Sequence, residues 1–494
     1  MVFRFLGLLQ TAHVALIHFK LRDDVDDQLS IHLGYQLERT LAEGTFILNR
    51  VLGLFYRDAE AAKEFEHEWL EEEQKEKEKQ EQVQASHIVV GEDHVPGQHS
   101  IWGKTPEGRD VSCTQSSSQF IVANGNQGMG KTQGSAIIRE ASHLDLPGLT
   151  TMKEFKRTIT VLIDFNKGHT RHAPLCGMYP NPYPEQWKYL RDNYGVVFAE
   201  HLAAFPKVGV LAMPGAVTRL KQTYPELCER GLHIKQLGFN PLEQSALFYR
   251  LMLSMGTEGN GKPRTKARTI IDSIIGHLGM GRTPELVLNE MKRAKIIGEA
   301  GFQWQMKFIK EITTKDEFLI DNLNDPSPLI IILESKDFGA DCILPLEVAM
   351  WAVLMGKLRN GQNPHRWVLV PEVAKQGLHE IVAPFMIENA AEVRHGVVSW
   401  YIETQQLGFL PDALIGLATG IIHFKSVNQK DYRRVQELFC AFQQLPFRYI
   451  SELPVGVGFM AFLKVSDPAL CNRVIKVIFR PTATWAGGET MRVG

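Results

Sequence analysis

Residues 121–132 read IVANGNQGMGKT, and Gly125, Gly130, Lys131 and Thr132 in that stretch fit the pattern GxxxxGK[ST]. The chemistry behind such spacing is the gripping of phosphate. Gly125, Gly128 and Gly130 let the backbone turn so that successive amides point inward at phosphate oxygens. A helix after the loop adds its positive N-terminal end. Lys131 is placed to contact the β- and γ-phosphates, and the Thr132 hydroxyl to ligate Mg2+. Asn126, Gln127, Met129 and Gln133 complete the stretch lining the ligand. The expected ligands are therefore ATP and Mg2+. Hydrolysis needs two further groups, an acid for the metal and a carboxylate that activates water. RWVLVPEVAKQG supplies a candidate for the second: Glu372 sits just past a hydrophobic run, where it could polarise the attacking water. The aspartate expected before it is replaced by Pro371, which offers no oxygen to the metal's water shell.

The elements that position these groups are legible as apolar runs. FIVA, TITVLIDF, PLIIILES, RWVLVPE, GVVSWYIET and GIIHF are nearly continuous in apolar residues. Such runs suit strands buried on both faces of a mainly parallel sheet. Helical patterns lie between most of them, TQGSAIIREASHL directly after the loop among them. Residues about 215–325 read mostly as a helical insertion, and GVGFMAFLKV and RVIKVIFRP add two strands near the end. The expected organisation is an N-terminal helical region over 1–85, a small β-hairpin segment over 86–118, an ATPase domain over 119–481, and a tail over 482–494. Within the first region, residues 63–84 are almost all Glu, Lys and Gln, as on a solvated helix or a partner-docking arm.

The chain has 494 residues, 44% apolar and 22% charged, with a net charge of -2. That balance suits a globular protein of two or three units. It lacks a molecule-wide basic field, so nucleic-acid binding would need a local patch or an oligomeric channel. The six cysteines form no CxxC pair, which argues against a zinc ribbon or a disulfide scaffold and for a cytoplasmic setting. The apolar run at 343–356 is too short to span a bilayer and contains Glu347. No membrane anchor is expected in this chain.

From about Ile101 to Pro481 the order of motifs resembles the HerA/FtsK branch of P-loop ATPases, which includes the coupling ATPases of type IV secretion. The resemblance rests on GNQGMGKT, VLIDFNKG, GFNPLE, the successive runs PLIIILES and WVLVPE, and the stretch Val393–Phe439 with its arginine, strand, TQ and LP. It implies an α/β, RecA-like fold: a mainly parallel sheet flanked by helices, carrying a helical insertion and an N-terminal helical region. It also implies roles. Lys131 and Thr132 would hold phosphates and Mg2+, and Glu372 would be the catalytic glutamate. Gln405 would sense the γ-phosphate, and Arg394 would reach a neighbouring subunit's nucleotide. Lys425, Arg433 and Arg434 are weaker candidates for such a cation. Asp164 is either an acid behind the metal site or a strand-end cap, and Glu334 is another acid that could stand near the metal.

The function so implied is a ring-forming, hexameric DNA translocase, hydrolysing ATP between subunits and handling DNA in a central pore. The pore-loop candidates are 166–174 and the basic run 257–269, with Lys262, Arg264, Lys266 and Arg268. The alternative is a nucleotide-binding scaffold with weak or partner-dependent hydrolysis that recruits a nuclease or other effector. Pro371 and the charged N-terminal arm favour it. A small-molecule kinase fits poorly, because no compact lid with paired arginines is evident.

Overall fold

The computed structural model describes residues 87–91, 98–114, 118–152, 159–164, 173–212, 214–237, 265–279, 283–312, 327–332, 366–371, 387 and 398–486. The chain divides into two units, 1–85 and 86–494. The first, with its charged stretch, lies outside the described residues. So do the apolar run 343–356, the acids Glu334 and Glu372, and Arg394.

The second unit is built on one 14-stranded sheet. Its strands are β1 (His87–Val90), β2 (Gln98–Lys104), β3 (Asp110–Thr114), β4 (Phe120–Asn124), β5 (Thr150–Met152), β6 (Ile159–Asp164) and β7 (Val208–Ala212). They continue with β8 (Leu232–Gln236), β9 (Leu329–Ile332), β10 (Arg366–Val370), β11 (Val398–Thr404), β12 (Gly420–Phe424), β13 (Val457–Phe462) and β14 (Ile475–Phe479). The order is β1-β3-β2-β14-β13-β12-β4-β11-β10-β6-β9-β7-β8, with β5 beside β2. From β12 to β8 every neighbouring pair is parallel. The chain is thus α/β with a RecA-like, mainly parallel sheet. The loop at the end of β4 opens at the carboxyl ends of β11 and β12 on either side, the edge where doubly wound sheets take their ligands.

Alternation within each strand makes two cores. Phe120 and Val122 of β4 and Trp400 and Ile402 of β11 feed one face. Ile121, Ala123 and Tyr401 feed the other, together with Ile137 and Ile138 of helix α1 (Lys131–His143). Every residue of α1 except Thr132 is buried. The mid-chain helices Thr265–Leu278 and Pro284–Arg293 contribute Ile275, Val287, Leu288 and Met291 to the first face, and Phe302 and Met306 of the helix Glu299–Ile312 pack against it.

The stretch read as mostly helical from about 215 also contains a strand, β8, and β7 stands just before it. LHIKQ alternates buried and exposed residues because β8 is the sheet's edge, so its apolar signal is halved. Residues 87–114 are joined to the same sheet. β2 and β3 pair antiparallel as a hairpin would, but β1 runs parallel to β3, and β14 pairs with β2. Directly after β14 the chain is packed: Thr482, Ala483 and Thr484 are buried, and 487–494 lie outside the described residues.

Candidate functional site

Between Asn124 and Lys131 the chain makes the turn that the glycines permit. Gly125, Gly128 and Gly130 have φ of 149°, 76° and 110°, values an L-residue with a side chain adopts only under strain. A Cβ at Gly128 would meet nothing within 4 Å, so the loop borders open space there. The loop is pinned to the strands on both sides. Gly125 N donates to Thr404 O at 3.3 Å, and Asn126 N to Lys425 O at 2.8 Å. Gly456 N donates to Met129 O at 3.2 Å. Gln127 and Gly128 stay exposed at the tip.

α1 starts on Gly130, which has no side chain to cap it, so the first-turn amides face the loop's hollow. Lys131 is only 5% exposed. Its ammonium donates to Gly125 O and Asn126 O, each at 2.7 Å. Burial pushes it down to about 8, against the pull of Glu403, which raises it. The cation is thus held over the loop on neutral carbonyls that a phosphate would outbid, since its oxygens add an opposite charge to the bond. Tyr401 Oη donates to Lys131 O at 2.9 Å. That arrangement needs Gly134, where a Cβ would stand 2.2 Å from the Tyr401 hydroxyl.

Thr132 points at a carboxylate that the motifs did not single out. Its Oγ1 donates to Glu403 Oε2 at 3.0 Å. Glu403 lies on β11 next to the loop strand, opposite Ala123, and is 1% exposed. Burial pushes its carboxyl up, while Ser135, Lys131, Thr132 and Arg139 draw it down. Ser135 commits its proton to Thr132 O at 2.9 Å, and Glu403 Oε1 has no hydrogen-bond partner among the described residues. The available signal was an acid ending an otherwise apolar strand, one residue before the TQ pair.

Behind the loop, α1 is locked by a buried ion pair. Arg480 Nη1 and Glu140 Oε2 are 2.9 Å apart, both side chains fully buried. Glu140 Oε1 also accepts from Thr484 N at 2.6 Å and Thr484 Oγ1 at 2.8 Å. Gln133 turns the same way, its Nε2 donating to Arg480 O at 2.9 Å; its side chain belongs to this buttress.

The remaining candidates are dispersed. Gln405 follows β11 at the strand's loop end, half-buried. Pro371 occupies the corresponding end of β10. Asp164 ends β6. Arg434 binds Asp412 Oδ1 through Nε at 3.1 Å and also the Leu410 carbonyl, whereas Arg433 is exposed. Of the basic run, Lys262 and Arg264 lie outside the described residues, while Lys266 and Arg268 fall on the helix that starts at Thr265 rather than on a loop. Of 166–174, only Ala173 and Pro174 are described, opening a 3-10 turn. Among the described residues no helix is long and apolar enough to cross a membrane.

No family model matches the chain, and no curated protein matches it. Solved structures do resemble it. The plasmid coupling protein TrwB in complex with the ATP analogue ADPNP is 12% identical, with a TM-score of 0.44 over 75% of this chain and 87% of that one. VirB4 of Thermoanaerobacter pseudethanolicus is 10% identical, with a TM-score of 0.46 over 79% of this chain and 97% of that one. The genome packaging NTPase B204 from Sulfolobus turreted icosahedral virus 2, in complex with AMP, is 12% identical, with a TM-score of 0.23 over 32% of this chain and 71% of that one. The RecA-like assignment rests on this chain's own strand order and loop.

Proposed function

We propose that this chain binds and hydrolyses ATP at residues 125–132 and that turnover drives DNA through a ring of identical subunits. The observation that supports the nucleotide site best is the loop itself. At the end of a parallel strand three positive-φ glycines shape the turn, with open space at Gly128 and with the uncapped end of α1 and the buried Lys131 at its base. Solved structures of TrwB hold an ATP analogue, or ADP with Mg2+. The same ligands are proposed here on the strength of the loop's geometry.

In this reading the amides of 127–132 orient the triphosphate, and Lys131 transfers its donors from the Gly125 and Asn126 carbonyls to phosphate oxygens. The donors present fit a hydrated Mg2+, which favours hard oxygen ligands: the Thr132 hydroxyl is exposed, and Glu403 Oε1 lacks a partner among the described residues. When bound, the ion would neutralise charge developing on the phosphates. Glu372, just past β10, polarises the attacking water. Gln405 at the end of β11 faces the terminal phosphate, and Arg394 acts across a subunit boundary. DNA would be gripped through its backbone in the pore, which needs only local basic residues.

A second reading, a switch that binds ATP but turns it over slowly and recruits an effector such as a nuclease, is favoured by Pro371 at the end of β10. One experiment separates the two. Phosphate release is measured with and without duplex DNA, alongside particle mass with a non-hydrolysable analogue, for the wild type and Lys131→Ala. The motor reading expects DNA-stimulated turnover, a nucleotide-dependent multimer and loss of both in Lys131→Ala. A monomer indifferent to DNA would count against it, and wild-type turnover in Lys131→Ala would reject the loop as the site.

A further inference from the structure

The end of β10 lacks a carboxylate, yet Thr132 has one beside it, and the sheet explains where it comes from. β10 and β11 run parallel with Val370 level with Ile402. One residue further along, Pro371 falls level with Glu403, and side chains in one row of a parallel pair share a face. On its other side Glu403 is paired with Ala123 of β4, the strand that runs into the phosphate loop. An acid in this row of β11 is therefore one strand spacing nearer the loop than an acid at 371, about 4.8 Å. Glu403 uses that proximity, accepting from Thr132 Oγ1 at 3.0 Å.

The carboxylate is also incompletely satisfied. It is 1% exposed, and Oε1 has no hydrogen-bond partner among the described residues. The Tyr401 hydroxyl donates to Lys131 O, and Lys131 to Gly125 O and Asn126 O; Ser135 donates to Thr132 O and, like the charges of Lys131 and Arg139, also favours the ionised carboxylate. A buried carboxylate oxygen with nothing to accept from is costly unless a ligand completes it. The other oxygen of the same carboxylate, Oε2, meets Thr132, which is exposed.

Resting on the reading of this loop as a nucleotide site, we infer that Glu403 performs the task Pro371 cannot: with Thr132, it holds the oxygen shell of the Mg2+ that accompanies ATP. The metal-holding acid is thus displaced by one strand rather than lost. Glu372 is left to the attacking water alone, and hydrolysis needs no partner to supply an acid.

The test is the Mg2+ dependence of binding, read by fluorescence anisotropy of a labelled non-hydrolysable ATP analogue on the full chain, in Mg2+ and in EDTA. Glu403→Gln keeps the size of the side chain and an acceptor for Thr132 but removes the charge. It should lose about tenfold or more of the affinity measured in Mg2+ and none of that measured in EDTA. Pro371→Asp added to Glu403→Gln should recover part of the loss, which a purely structural role for Glu403 would not allow. Glu403→Asp, which keeps the charge on a shorter stem, gives a second reading should the glutamine variant fold poorly, and a smaller loss in Mg2+ alone is expected. An unchanged ratio of Mg2+ to EDTA affinity in either single variant overturns the inference while leaving the nucleotide site intact. A wild type that binds the analogue in neither condition, as Lys131→Ala should, overturns the nucleotide reading itself.

Discussion

Lys131, Thr132 and Glu403 come together although only the first two are adjacent in the chain. Lys131 is held ready by two carbonyls of its own loop, whereas Thr132 is oriented by a residue 271 positions away. His423 shows a different consequence of the same crowding. It sits fully buried on β12, 3.2 Å from Asn124 Nδ2 and against the rings of Tyr432 and Phe442. Burial pushes its imidazole down to about 3. The folded ring stays neutral where an unfolded one takes a proton below about 6.5. Its contribution to stability is therefore complete above that pH and is lost as pH falls toward 3, at no more than about 1.4 kcal/mol per pH unit. Urea midpoints followed from pH 7 to pH 5 should fall less steeply in His423→Gln than in the wild type; parallel slopes would show that the ring carries no such linkage.

At the scale of elements, α1 is the part that must not shift, because its first turn is the floor of the site. It is gripped at both ends: Tyr401 at Lys131 O, and the Arg480–Glu140 pair near its C-terminus. Removing one member of a buried pair leaves an uncompensated charge, a loss of about 3–5 kcal/mol. Glu140→Gln should therefore destabilise the fold by that order in equilibrium denaturation, and adding Arg480→Met should restore much of it. A cost for Glu140→Gln no greater than that of an ordinary surface change would mean the pair is not holding α1. The parallel strands carrying the site were legible because burial on both faces leaves an unbroken apolar run, as in LIII of β9 and GIIHF of β12. β8 was not, because an edge strand shows only half its residues to the core. β1 to β3 were legible as punctuated strands but not as members of the main sheet. Their attachment runs through β14, a strand hundreds of residues away in sequence.

For the whole molecule, a net charge of -2 gives no general attraction to nucleic acid. On the proposed reading, affinity comes from a few residues brought together around a pore. Replacing Lys262, Arg264, Lys266 and Arg268 together with Ser should weaken duplex DNA binding and flatten its dependence on salt, because neutralising fewer phosphates releases fewer counterions. Binding isotherms across a range of salt concentrations check this, and an unchanged slope would remove the segment from the interface. By itself, the sequence determined the glycine loop between strand and helix and the parallel character of the sheet. A loop of consecutive amides and a strand buried on both faces are written in neighbouring residues, and spacing alone specifies them. Only the tertiary structure decided which carboxylate meets Thr132, what Arg480 anchors and where β8 lies. Those pairings depend on strand order and register, which are settled by how distant segments share one core and leave no trace in local spacing.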